Sequence, residues 1–330
     1  MRRLRSVPRW TLRRVPRAFS RVAGALALLF GVHAAVACSS AGLMPNLAVP
    51  TAGGQQLWTD VAWDGGWRVQ QHVWTGHARV LDGSDVRRGW GGVDACLAAF
   101  DEARPRQGSQ RPLVVALHGL WRSRGSLGPM KRALEGAGFE VFDVTYPSTR
   151  GTIEDHAESV ARALDRMRVP KSGIGGEPRE IHFVTHSLGA LVTRALLARE
   201  GDAWRERHRL GRAVFIAAPH QGAELARVAA RIPGALCVYG APARQIAGGE
   251  THDLPVPPLP FLNVAAGHGA DGWNPFVEGD DDGVVAVREA RLDGEAAFLR
   301  VEGVHTFVAQ DPEVVERTVE FLGAAAGDAH

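Results

Sequence analysis

Between residues 111 and 323 the chain alternates short, mainly apolar, strand-like runs with stretches whose apolar residues recur every three or four positions. The runs fall at 112–117, 140–145, 181–185, 213–217, 261–265 and 298–301. The first, Pro112 to Leu117, is continuously apolar, the pattern of a strand covered on both faces. Helical spacing separates several of the runs. Ile153, Ala157, Val160, Ala161, Leu164 and Met167 follow Thr152 and Asp155, which are spaced for a capping box. Asp311 before Pro312 opens a last helix with Val315, Val319 and Leu322 on one face. Strand and helix taken in turn predict a mostly parallel, doubly wound α/β sheet with helices on both faces, spanning 109–330.

Upstream the rhythm differs. Apolar and polar residues alternate over 67–74 and 77–81 around Thr75-Gly76, which predicts an antiparallel hairpin. Five of the nine tryptophans lie between positions 58 and 90, and packing of a small sheet edge accounts for them. Residues 57–108 are therefore expected to form a β-rich extension with a helix, joining the main sheet. Residues 38–56, rich in Gly, Pro and small side chains, read as a tether.

Charge sharpens the picture at the N-terminus. Residues 1–37 carry eight arginines and no acid, so removing them takes the formal net charge from +2 to −6 for the rest. A mildly acidic body gives a nucleic acid no electrostatic footprint, and nucleic-acid binding is not expected. The arginines run into 22–37, sixteen residues whose only polar member is His33, as in an export signal. The stretch is short for a membrane-spanning helix, which needs about 20 apolar residues. The exit Ala35-Val36-Ala37-Cys38 fits an A-x-A cleavage site and also resembles a bacterial lipobox. The second reading, preferred here, implies lipidation at Cys38, an anchor in the membrane and, with Ser39 next, the outer one. The first implies a soluble exported protein, and the mass of the mature N-terminal peptide separates the two. Cys96 and Cys237 remain either as a bridged pair or as two separate thiols. No cysteine or histidine cluster at metal-ligand spacing appears, and no metal or cofactor is expected.

The chemistry concentrates at Thr185-His186-Ser187-Leu188-Gly189. An apolar strand runs into Ser187, and Leu188, Leu191, Val192, Ala195 and Leu196 follow at helical spacing. A serine at a tight strand-to-helix turn has its hydroxyl pushed out above the sheet edge, the nucleophile elbow, although Thr185 stands where G-x-S-x-G has glycine. Such a serine needs a base and donors for a developing oxyanion. The turn at His118-Gly119-Leu120 ends the first apolar run, and by position the backbone amides of Leu120 and Leu188 form the oxyanion hole. His118 and His186 read as structural. Among later histidines, His305 alone sits between a strand and the terminal helix, whereas His220, His252 and His268 lack that setting. For the acid, Asp280, Asp281 and Asp282 compete. Asp282 is favoured because Gly283 returns the chain to Val284-Val285, leaving Asp280 and Asp281 farther out, solvated or capping the turn. A calcium loop is disfavoured because no Glu stands at its twelfth position.

Six stretches in order then carry a resemblance: Leu117-His118-Gly119-Leu120, Tyr146-Pro147-Ser148-Thr149, Thr185 to Gly189, Ala217-Ala218-Pro219-His220-Gln221-Gly222, Asp282-Gly283-Val284-Val285 and His305-Thr306-Phe307. From about 110 to 323 the chain resembles bacterial lipases and esterases of the α/β-hydrolase fold, including the 23-residue gap from Asp282 to His305. The resemblance implies a Ser187–His305–Asp282 triad that cleaves an ester or lipid through an acyl-enzyme, with residues 221–260 as lid or pocket rim. Acyl transfer, amide cleavage or polyester depolymerisation would use the same triad, and a non-catalytic lipoprotein could keep the fold.

Overall fold

The structure is a computed structural model that describes residues 42–51, 53–105, 108–168, 178–270 and 272–324. The expected export signal at 1–37 and the expected lipidation residue Cys38 lie outside them.

Strands β1 (Trp58–Asp64), β2 (Trp67–His72), β3 (Ala78–Leu81) and β4 (Arg87–Gly91) form an antiparallel meander of their own, in that order. The hairpin expected around Thr75-Gly76 joins β2 to β3. One face packs Val61, Val69, Ala78 and Val80 against Cys96, Leu97 and Phe100 of the helix Val93–Ala103. Two expectations are corrected here. The extension does not join the main sheet: its link to the core is made chiefly by side chains, and Asp60 donates a backbone N–H to Thr145 O at 2.9 Å. Nor are residues 42–51 a free tether. They line β4, with Met44 N donating to Trp90 O and Arg87 N to Val49 O, which satisfies an edge that would otherwise stand open.

The junction with the core is a buried ion cluster. The Arg68 guanidinium lies 3.0 Å from Asp60 Oδ2 and 2.7 Å from Asp143 Oδ1, and Thr145 N donates to Asp60 Oδ2 at 2.8 Å. Asp143 also faces Arg124 and Lys131, and these cations hold its carboxyl well below the usual range. Beside the cluster, Trp63 stacks on Phe142 with centroids 4.9 Å apart.

The main sheet contains β5 (Leu113–Leu117), β6 (Glu140–Asp143), β7 (Arg179–His186), β8 (His208–Ile216), β9 (Phe261–Gly267) and β10 (Ala297–Glu302). All pairings are parallel, in the order β10-β9-β8-β7-β5-β6. The apolar runs explain themselves once both faces are seen. Leu113, Val115, Leu117, Ile181, Phe183 and Phe215 point to the face covered by helices Ile153–Asp165 and Leu188–Ala198. Val114, Ala116, Val184, Val214 and Ile216 point to the face covered by helices Gly128–Gly136 and Pro312–Gly323. Helices thus lie on both faces. The capping box forms as expected, with Asp155 N donating to Thr152 Oγ1 and Thr152 N to Asp155 Oδ2.

The strand order sets the position of the site. The chain starts at β5, steps to β6 at the edge, then returns to the other side of β5 with β7. At such a switch point the loops leaving neighbouring strands diverge and open a crevice at their carboxyl ends. Leu120 follows β5 and Ser187 follows β7, so the two flank that crevice.

Candidate active site

Ser187 lies between β7 and the helix Leu188–Ala198 with φ 54° and ψ −121°, a conformation that disfavours any residue but glycine. Its N–H donates to Ile216 O at 2.8 Å, which pins the turn to β8. The strain is held by close packing: a Cβ on Gly189 would stand 2.5 Å from Leu117 O, so the second glycine position of the motif is obligatory. The first is not, because Thr185 still belongs to the sheet, paired with Leu117 and Phe215, fully buried. Its hydroxyl has no partner among the described residues.

The three residues proposed from the sequence come together. His305 Nε2 is 3.0 Å from Ser187 Oγ, and His305 Nδ1 is 2.7 Å from Asp282 Oδ2. Because the carboxylate only accepts, Nδ1 carries the proton and Nε2 is left to accept the serine O–H. Asp282 is rigidly held. Its other oxygen accepts N–H groups of Val284 at 2.9 Å and Val285 at 2.7 Å, and its carbonyl accepts the His305 N–H at 2.8 Å. Gly283, at φ 96°, makes the turn that allows this.

The loop after β5 lies against the serine: a Cβ on Gly119 would stand 3.0 Å from Ser187 Cβ. Leu120 is within the turn closed by Arg122 N donating to Gly119 O. Leu188 opens its helix, where the first amides have no acceptor inside the helix and the dipole favours negative charge. Among the described residues neither amide has a partner, so both stand ready for an incoming oxygen.

Sequence reading left out how much surrounds these groups. His186 is buried and its Nε2 meets His305 O at 2.9 Å, so it shapes the loop that carries His305; burial, with His305 nearby, pushes its pKa well below the ordinary value. His118 is fully buried, stacked on Tyr146 at 4.2 Å, and burial pushes it down to about 4. Of the two roles expected for Asp281, solvated or capping the turn, the structure shows the second. Asp281 is fully buried and accepts N–H groups of Trp273, Asn274 and Gly283. Asp280 accepts from His268 N and Gly269 N and pairs with Arg300. His220 bonds Asn263 at 3.1 Å and His268 stacks on Trp273. The contacts of His186 with His305 and of His220 with Asn263 have no local signature, since the partners stand far apart in the sequence. Cys96 and Cys237 are separate thiols, one buried and one exposed. Residues 221–260 hold two helices, Glu224–Ala230 and Ala235–Gly248, the second kinked at Gly240 and Pro242. Val238 and Tyr239 on the second helix, and Ile232 between the two, are exposed. No group of residues suited to a metal is present among those described.

No family model matches the chain, and no curated protein matches it. Among solved structures, the mature lipase BlEst2 of Bacillus licheniformis is similar at 15% identity and TM-score 0.48, over 65% of this chain and 93% of that one. The lin2722 gene product of Listeria innocua gives 17% and 0.45, over 66% and 96%. The metagenomic carboxyl esterase MGS0156 gives 19% and 0.41, over 66% and 79%. The class is read from the chain itself: six parallel strands in this order, with a strained serine after the strand beside the switch point, have the α/β-hydrolase fold.

Proposed function

We propose that the protein is a serine hydrolase acting on carboxylic esters. The observation that carries this reading is the continuous line Asp282–His305–Ser187, at 2.7 and 3.0 Å, ending beside two unpartnered amides. In the proposed reaction Ser187 Oγ attacks the acyl carbonyl while His305 Nε2 takes its proton. The carbonyl oxygen becomes an oxyanion held by the N–H groups of Leu120 and Leu188. Collapse expels the alcohol, which receives the proton from His305, and leaves an acyl group on Ser187. Water then attacks that ester, gives its proton to His305, and the acid leaves as the serine regains its hydrogen. Asp282 fixes the ring and stabilises the imidazolium throughout.

A series of p-nitrophenyl esters of rising chain length tests the reading. Turnover by the native chain, with its optimum reporting the acyl pocket, is expected. No turnover of any member would remove ester hydrolysis as the function.

A further inference from the structure

The loop that would carry the oxyanion donor is not held by its own strand alone. Trp121, directly after Leu120, sits at φ 58°, where a bulky side chain is strained. Its N–H donates to Ser148 Oγ at 3.0 Å. That hydroxyl is saturated, because it also accepts from Gln56 Nε2 at 3.0 Å and donates to Gln56 Oε1 at 3.2 Å. Gln56 Nε2 reaches the loop directly as well, donating to Arg122 O at 2.7 Å. On its far side Gln56 Oε1 accepts from Thr149 N at 3.3 Å. One carboxamide thus grips both ends of the Trp121-Arg122 turn, one end through a serine.

The origin of that carboxamide is informative. Gln56 lies before β1, in the 3₁₀ turn Gln55–Leu57, outside the main α/β sheet. The turn is fixed in its place: Gly53 O accepts from Gln70 Nε2 at 2.9 Å and from Thr145 Oγ1 at 3.2 Å. The opposite side of the loop is tied to the base, since Arg122 Nη2 donates to Thr306 Oγ1 at 2.6 Å, beside His305. A donor loop stretched between these two fixings has its amide aimed before substrate arrives, which is the condition under which a donor stabilises developing charge without reorganisation.

We propose that Gln56, acting through Ser148 and the Arg122 carbonyl, is a positioning residue for the oxyanion loop, so that the N-terminal extension sets the rate of the chemical step. This rests on the hydrolase reading. Gln56→Glu is the sharpest variant, because it keeps the shape and the accepting oxygen but loses both donated bonds. Ser148→Ala removes the acceptor of the Trp121 N–H independently. Active serines are counted from the p-nitrophenol burst released by diethyl p-nitrophenyl phosphate, and kcat for a p-nitrophenyl ester is divided by that count, which removes any misfolded fraction. In both variants kcat per titrated serine is expected to fall about fivefold or more, with KM moving less than about twofold. A smaller fall in either variant, while the native chain gives a full burst, overturns the positioning role alone. A native chain that gives no burst overturns the hydrolase reading and this inference together.

Discussion

Asp280, Asp281 and Asp282 are neighbours of one residue type with three different jobs. Asp282 divides its oxygens between the backbone of Val284 and Val285 and the ring of His305. Exchanging that carboxylate for an amide puts an N–H₂ where the ring N–H or the backbone donors stand, so the tautomer and the imidazolium both suffer. Asp282→Asn is expected to lower kcat by about three orders of magnitude or more with little change in KM. Asp281 holds the 273–274 turn from a fully buried position, so Asp281→Asn is expected to cost about 1–3 kcal/mol in urea unfolding. Its kcat per folded molecule should stay within about tenfold of the native value. Collapse of kcat in Asp281→Asn instead would move the acid to that residue. Gly283 made the preference for Asp282 legible, since a tight turn selects the carboxylate at its inner end. The sequence contained no sign that Asp281 is buried, because its acceptor role depends on a loop eight residues away folding back over it.

Elements covered on both sides announce themselves. β5, Phe183-Val184 of β7 and Ala213 to Ile216 of β8 are apolar at successive positions because alternate side chains meet different helix layers, and each run was readable without knowing its neighbours. The extension was less readable, for a physical reason. Asp60, Arg68 and Gln70 look like the solvent face of an alternating strand, yet they are buried in one cluster that Arg68 joins to Asp143. Only the pairing of opposite charges across two sheets makes such burial tolerable, and that pairing has no local periodicity. Desolvation pushes the Asp60 carboxyl up, while Arg68 and the Thr145 N–H pull against it. Arg68→Ala would leave Asp60 and Asp143 facing each other with a lost cation, and a loss of about 3–5 kcal/mol is expected. A shift in the urea midpoint of less than about 1 kcal/mol would mean the junction is wetter than the structure indicates.

At the scale of the whole molecule, six buried histidines among the described residues prefer to stay neutral, His186 among them. Burial lowers His118, His156, His182 and His208 to about 4, and His220 to about 3, from an ordinary 6.5. Between those values and 6.5 the unfolded chain binds more protons than the folded one, so stability is full above 6.5 and drains away as the pH falls through the window. Each histidine contributes a loss of about 1 kcal/mol between about pH 7.5 and about pH 5.5. Asp60, Asp64 and Glu289, raised by burial, act in the opposite sense but are fewer. The urea midpoint should therefore drop markedly over that interval, and an unchanged midpoint would show that these rings are hydrated. At the same scale, the central claim is that distant loops assemble one activated serine. Its most direct test is to treat the native chain with a fluorophosphonate and locate the adduct by peptide mass spectrometry. The adduct is expected on Ser187 alone, with none formed after Ser187→Ala although that variant unfolds at the native urea midpoint. A native chain that stays unlabelled, or an adduct on another residue, would contradict the account.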